Sequence, residues 1–308
     1  MNMSEPIYFL DTTLRGELRT NVAMSKHTSW RAGGCVDRLY KPADLADFQN
    51  FVRSLPATES LIAVGLGSNL LVRDGGLHGT VVLTHGALNE LRLEDSETVY
   101  VQAGVAGAKL ARFTATHHLA GGEFFAGIPG TVGGMLTMNA GCYGGETWRL
   151  VERVQVLTRT GELLERSATE YKVAYRSAQL KSLPESDEIF VGAWLKFKLG
   201  DCDSTQAEIK ALLEKRQASQ PLHLPNAGSV FRNPPENFAA KLIESCGLKN
   251  RQIGGAQVSE KHANFIVNVA EASAADIENL INEVQAIVLQ KTGIALHPEV
   301  RIIGEYAK

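Results

Sequence analysis

Between Gly121 and Gly145 nine of the residues are glycine, and apolar side chains separate them. Glycine tolerates positive φ and lets backbone approach a ligand, so this density limits the stretch to two solutions. One is a packed set of tight turns, and the other is a loop whose main-chain amides wrap an anion such as a phosphate.

The second glycine cluster, Gly65-Leu-Gly-Ser-Asn-Leu, follows the apolar run Leu61–Val64 and begins like a dinucleotide fingerprint. Leu70 occupies the third glycine position, and the chain continues as strand and turn where the fingerprint needs a helix. A Rossmann site is therefore ruled against, and no Gly-x-x-x-x-Gly-Lys-Ser/Thr is present for a P-loop. What remains is a nest of amides with Ser68 and Asn69, or a plain hairpin turn.

With 308 residues, two or three units are expected. A net charge of −3 offers no footprint for nucleic acid or an anionic membrane, and neither is an expected partner. The four cysteines lie far apart without a Cys-x-x-Cys pair, which argues for reduced cytosolic thiols and no metal site. The N-terminal residues lack a basic start, so no secretory signal is read, and no window is long enough for a membrane span. Residues 1–20 read as an extension.

Helical spacing places a helix over 44–55, and short β-like runs follow at Leu70–Val72, Val81–Leu83, Val99–Val101, Val151–Leu157 and Phe190–Phe197, interrupted by a helix over 108–118. After Gly200 the texture turns helical with Ser204 as a cap, and 220–225 marks a boundary. Beyond it lie a helix over 237–246 stopped by Gly247, a strand over 265–269 and a long helix over 273–292. In that last helix Ser273 and Asp276 form the start, Ile277, Leu280, Ile281, Val284, Ile287 and Val288 the buried stripe, and Gly293 the stop. His117 and His118 end a helix on different azimuths and read as solvated rather than metal-binding.

Three scattered places hold a cation, a hydroxyl and a carboxyl: Tyr175-Arg176-Ser177, Gly228-Ser229-Val-Phe and His297-Pro-Glu299. Together they are a kit for proton transfer beside a substrate carboxylate. At this point the residues 21–305 resemble the UDP-N-acetylenolpyruvoylglucosamine reductases (MurB). The marks are His27-Thr-Ser-Trp-Arg-Ala-Gly-Gly, Gly65-x-Gly-Ser-Asn, Gly127-Ile-Pro-Gly-Thr-Val-Gly-Gly with Met138-Asn-Ala-Gly, Tyr175-Arg-Ser, Gly228-Ser-Val-Phe, Gly254-Gly-Ala-Gln-Val-Ser-x-Lys-His-Ala and Pro298-Glu-Val-Arg-Ile-Ile-Gly.

The resemblance implies an α+β architecture: a two-subdomain FAD-binding fold of the vanillyl-alcohol-oxidase/PCMH type plus a small α/β substrate-binding domain. The implied units are 21–87 with a return of 298–308, then 88–203, then 204–297. It also implies that NADPH reduces bound FAD and that hydride passes to the enolpyruvyl group of a UDP-sugar, giving UDP-N-acetylmuramate. Ser229 is then the proton donor, with Arg176 and Glu299 beside the carboxylate, and a protonated Glu299 with a raised pKa serves best. The FAD contacts implied are Gly65, Gly67, Ser68, Asn69, Gly127, Gly130, Thr131, Gly133, Gly134, Asn139, Ala140 and Gly141. Substrate contacts implied are Tyr175, Arg216, Asn233, Gln257 and His262, while Ser219 stands where many relatives carry lysine. The chain is similar to the compact branch without the inserted unit, and a cytoplasmic monomer is expected. Two other readings stay open on the sequence: a flavin oxidase of an alcohol or sugar, and an inactive flavin or nucleotide-sugar binding protein.

Overall fold

The computed structural model describes residues 14–307. Its first unit is built on a four-stranded sheet in the order Glu17–Ala23, Cys35–Lys41, Leu77–Leu83, Leu61–Val64, antiparallel at the first pair and parallel thereafter. The stretch read as an extension therefore supplies residues 17–20 to an edge strand, and its first thirteen positions lie outside the described residues. Helix α1 (Leu45–Ser54) starts where Asp44 accepts the Asp47 N–H at 2.9 Å, and it buries Phe48, Phe51 and Val52. Phe51 stacks on Tyr40 of the sheet with ring centroids 3.8 Å apart.

The second unit carries a five-stranded antiparallel sheet in the order Leu163–Ser167, Val151–Leu157, Ile189–Lys196, Thr98–Gln102, Leu91–Leu93. Every residue of Thr98–Gln102 is buried. Helices α2 (Gly107–Thr116) and α3 (Val132–Met138) bury Leu110, Val132, Met135 and Leu136 in this unit's core. Helix α4 (Cys202–Ser219) packs on α2 and on the 3-10 turn Glu123–Gly127, and Ile209 joins the same core. A unit border at 204 would cut this helix away from the core it helps to close. The packing places the border after α4 instead, in the 220–225 segment. The cap of α4 is Asp201, whose carboxylate accepts the Ser204 N–H at 2.8 Å.

The third unit holds α5 (Ala239–Ser245), a meander of Gln252–Ile253, Ala256–Val258 and Ile266–Asn268, and α6 (Ala274–Thr292). Ser273 and Asp276 form a reciprocal capping box, and Gly293 ends the helix in the left-handed region at φ 71°. Two features weld this unit to the first. The core around Ile277, Leu280, Ile281 and Val284 takes in Trp30, Ala32 and Leu71 from the first unit, and Arg301–Ile303 pairs in parallel with Leu70–Val72. Asp74 accepts the α6 N–H groups of Ala274 at 2.9 Å and Ala275 at 2.8 Å, while Arg73 and Glu278 are joined by paired hydrogen bonds. Among the described residues no helix is long and apolar enough to cross a membrane.

Candidate active site

The Gly65–Asn69 turn connects the strands Leu61–Val64 and Leu70–Val72 and meets the loop before α3. A methyl group on Gly65 would strike Thr131 Oγ1, and one on Gly130 would stand 3.4 Å from Ser68 Oγ. Gly67, at φ 60°, accepts the Ser29 N–H at 3.2 Å and has no room for a side chain against the His27 carbonyl. Among the described residues the N–H groups of Leu66, Gly67, Ser68, Asn69, Thr131 and Gly134 reach no acceptor of the chain. Two adjoining loops from two units thus carry unspent donors, a donor set that fits the pyrophosphate of FAD. Gly133 and Gly127 are packed closely. Gly133 lies against Ala103 and donates to its carbonyl at 2.9 Å, and Gly127 lies against Tyr143 and Cys142.

Asn139 and Ala140 brace the site with their own hydrogen bonds. Ala140 donates to Met135 O at 2.9 Å and accepts from Thr147 Oγ1 at 2.7 Å. The Asn139 side chain is engaged on both its atoms, with Ala174 O and Glu146 receiving its N–H groups and its oxygen accepting from Trp148 N.

Arg176 sits on the tip of the hairpin Tyr171–Ala174/Ser177–Leu180 in the left-handed region, at φ 57°. Such a backbone costs a non-glycine residue about 1–3 kcal/mol and recurs where function demands it. Its guanidinium lies 5.0 Å from the Tyr175 ring and donates through Nε to Glu299 Oε1 at 2.5 Å. The Glu299 backbone is held from both sides: its N–H donates to Val230 O at 2.7 Å, and its carbonyl accepts from Asn69 Nδ2 at 3.1 Å. Val230 follows Ser229 directly, and Phe231 bridges to Pro298. The cation and the carboxyl, dispersed over the sequence, thus meet beside Asn69, and the backbone that directly follows Ser229 is hydrogen-bonded to Glu299. Burial raises the Glu299 pKa above its ordinary value, outweighing the opposing pull of Arg176 and Arg232. That agrees with the raised value expected for it.

Arg216 lies on the same side. Its charge acts on Cys142, as does that of Arg176, and burial lowers the Arg216 pKa. The Cys142 thiol is pushed up to about 11 by burial and is therefore no nucleophile at neutral pH. The Lys215 ammonium stands 5.5 Å from the Tyr143 ring, so the Cys142–Tyr143 corner is edged by cations. Three residues expected at the substrate are engaged elsewhere. Asn233 Oδ1 accepts the Ala239 N–H at the start of α5 at 3.1 Å, Gln257 donates to Gln252 at 3.3 Å, and His262 Nδ1 accepts from Asn264 N at 3.3 Å. Among the described residues none of these three has a hydrogen bond to Arg176, Ser229 or Glu299.

Two site residues escaped the sequence reading. Asn264, 4% exposed, grips Phe231 through both its N–H and its carbonyl, at 2.9 and 2.8 Å, and so fixes the backbone two residues past Ser229. Arg232 adds a second positive charge near Glu299. An asparagine between alanine and phenylalanine carries no local mark of such a role, whereas Arg232 directly follows Gly228-Ser-Val-Phe.

Comparison with known proteins places this geometry. Residues 220–303 match the family described as UDP-N-acetylenolpyruvoylglucosamine reductase, C-terminal domain, and residues 36–167 match the FAD binding domain family. The UDP-N-acetylenolpyruvoylglucosamine reductase of Thiobacillus denitrificans is 57% identical, covering 95% of this chain and 94% of that protein. That of Nitrosomonas eutropha is 50% identical, covering 99% and 94%. The crystal structure of UDP-N-acetylenolpyruvylglucosamine reductase (MurB) from Thermus caldophilus superposes with a TM-score of 0.78 at 28% identity, over 94% of this chain and 99% of that one. On these matches the chain belongs to the UDP-N-acetylenolpyruvoylglucosamine reductase family.

Proposed function

We propose that this chain reduces the enolpyruvyl group of UDP-N-acetyl-3-O-(1-carboxyvinyl)glucosamine to UDP-N-acetylmuramate, with NADPH as reductant, in the cytoplasmic synthesis of peptidoglycan precursors. The observation that carries the reading is the Arg176–Glu299 pair, hung beside Ser229 and tied by Asn69 to the cradle between the two loops. Bound FAD supplies the hydride that passes from NADPH to the terminal carbon of the enol ether.

The chain's residues then manage charge and a proton. Hydride addition drives negative charge onto the carbon that bears the carboxylate. Arg176 holds that carboxylate and offsets the growing charge, and Glu299, whose pKa burial raises, would in its protonated form donate a hydrogen bond where an ionised carboxylate would repel. The Ser229 O–H bond breaks as the new C–H bond forms, and the serine oxygen left behind regains its proton from solvent. A serine hydroxyl is a weak acid, and the step works because the carbon it protonates is strongly basic. Arg216, whose charge reaches Cys142 together with that of Arg176, would contact the nucleotide-sugar.

The test is direct. The purified protein should show a flavin spectrum, bleach anaerobically with NADPH, and recover its colour on addition of the enolpyruvyl UDP-sugar but of no simple alcohol or ketone. Bleaching of the flavin by an alcohol or sugar in place of NADPH, with no return of colour on addition of the enolpyruvyl UDP-sugar, would refute the assignment.

A further inference from the structure

We propose that Asn139 is a positioning residue that sets Arg176 against the substrate carboxylate; this rests on the function proposed above. Asn139 is 2% exposed and closes α3 in the left-handed region at φ 39°. From there its Nδ2 donates to Ala174 O at 3.2 Å and to Glu146 Oε2 at 3.3 Å, and its Oδ1 accepts the Trp148 N–H at 3.1 Å. Ala174 is the last residue before the Tyr175-Arg176 tip, whose own left-handed backbone needs an anchor. Trp148 in turn donates its indole N–H to Leu136 O of α3 at 2.7 Å.

The C-terminal end of α3 is thereby bolted to the hairpin, while the other end of α3 follows Thr131 and carries Gly134, whose N–H groups reach no acceptor among the described residues. Only a side-chain amide meets all three demands. It must donate to a carbonyl and to a carboxylate, accept from an N–H, and tolerate a left-handed backbone. A carboxylate at this position would oppose both Ala174 O and Glu146.

The experiment compares holoenzyme carrying Asn139→Gly, which keeps the backbone free to stay left-handed, with the parent, each alone and combined with Arg176→Lys. Asn139→Asp, which keeps the acceptor for Trp148, is the second variant and is expected to behave alike. The expected result is retained FAD, unchanged flavin reduction by NADPH, and reoxidation by the enolpyruvyl UDP-sugar slowed about tenfold to a hundredfold. The loss should shrink to little or nothing in the Arg176→Lys background, and hydrogen exchange should quicken across 171–180. Loss of FAD, equal slowing of both half-reactions, a full additional loss in the Arg176→Lys background, or unchanged exchange at the hairpin would each overturn the proposal. Parent enzyme that is not reoxidised by the nucleotide sugar would refute the proposed function instead, while FAD retention and hairpin exchange would still report on Asn139.

Discussion

Ser229 and Glu299 are separable by experiment because they act at different moments. Ser229→Ala should leave flavin reduction by NADPH intact and slow reoxidation by the enolpyruvyl substrate by a factor of about 10²–10⁴, the range of a lost proton donor. Rapid-mixing measurement of the two half-reactions decides it, and equal loss in both would remove the serine from the donor role. For Glu299 the sign of its titration matters. Its folded pKa is raised by burial, so the protonated form persists to higher pH than for a free carboxylate, and reoxidation is expected to fall as pH rises through that value. The same shift contributes stability that is fully present below the ordinary carboxylate value and lost as pH rises through the folded one. Glu299→Gln should keep most single-turnover reoxidation and flatten its pH profile. A glutamine variant as inactive as alanine would show that hydrogen-bond donation is insufficient.

Elements were legible in the sequence wherever periodicity and capping agreed. The reading of α6 matched because Ser273, Asp276, the apolar stripe and Gly293 all mark the same helix. It slipped at α4, where Asp201 and Ser204 both suit a cap and the aspartate, three residues earlier, takes the position. What no local pattern announces is the second cap of α6, because Asp74 lies 200 residues away from Ala274. Asp74→Ala should lower stability by about 1 kcal/mol, read as an earlier urea midpoint, with both half-reactions unchanged in rate. A midpoint equal to the parent's would mean that Ser273 suffices to cap α6. The site was legible in the same uneven way. Arg176 and Glu299 carry motif marks, but the hydrogen bond that joins them, and the grip of Asn264 on Phe231, depend on contacts between distant segments that no spacing marks.

At the scale of the whole molecule, Ile209 is apolar like its neighbours, and only packing tells that it enters the second unit's core. Trp30 poses the reverse case. It belongs to the first unit by sequence, yet it is fully buried in the third unit's core, donates to Ile266 O at 2.8 Å, and its own carbonyl accepts from Asn268 at 3.0 Å. Trp30→Ala should cost about 3–5 kcal/mol and split one unfolding transition into two when FAD release and far-ultraviolet dichroism are followed together. Coincident transitions in that variant would show that the strand pairing of Leu70–Val72 with Arg301–Ile303 couples the units unaided.

That pairing also orders events during synthesis. Asn69 leaves the ribosome 230 residues before Glu299, whose carbonyl accepts its side-chain hydrogen bond, and a nascent chain grows at about 5–20 residues per second. For at least ten seconds or so at those rates, the Gly65–Asn69 turn exists without the strand that flanks it. Flavin capture must then wait for translation to pass residue 303, and a ribosome stalled before that point should hold an otherwise folded second unit that binds no FAD.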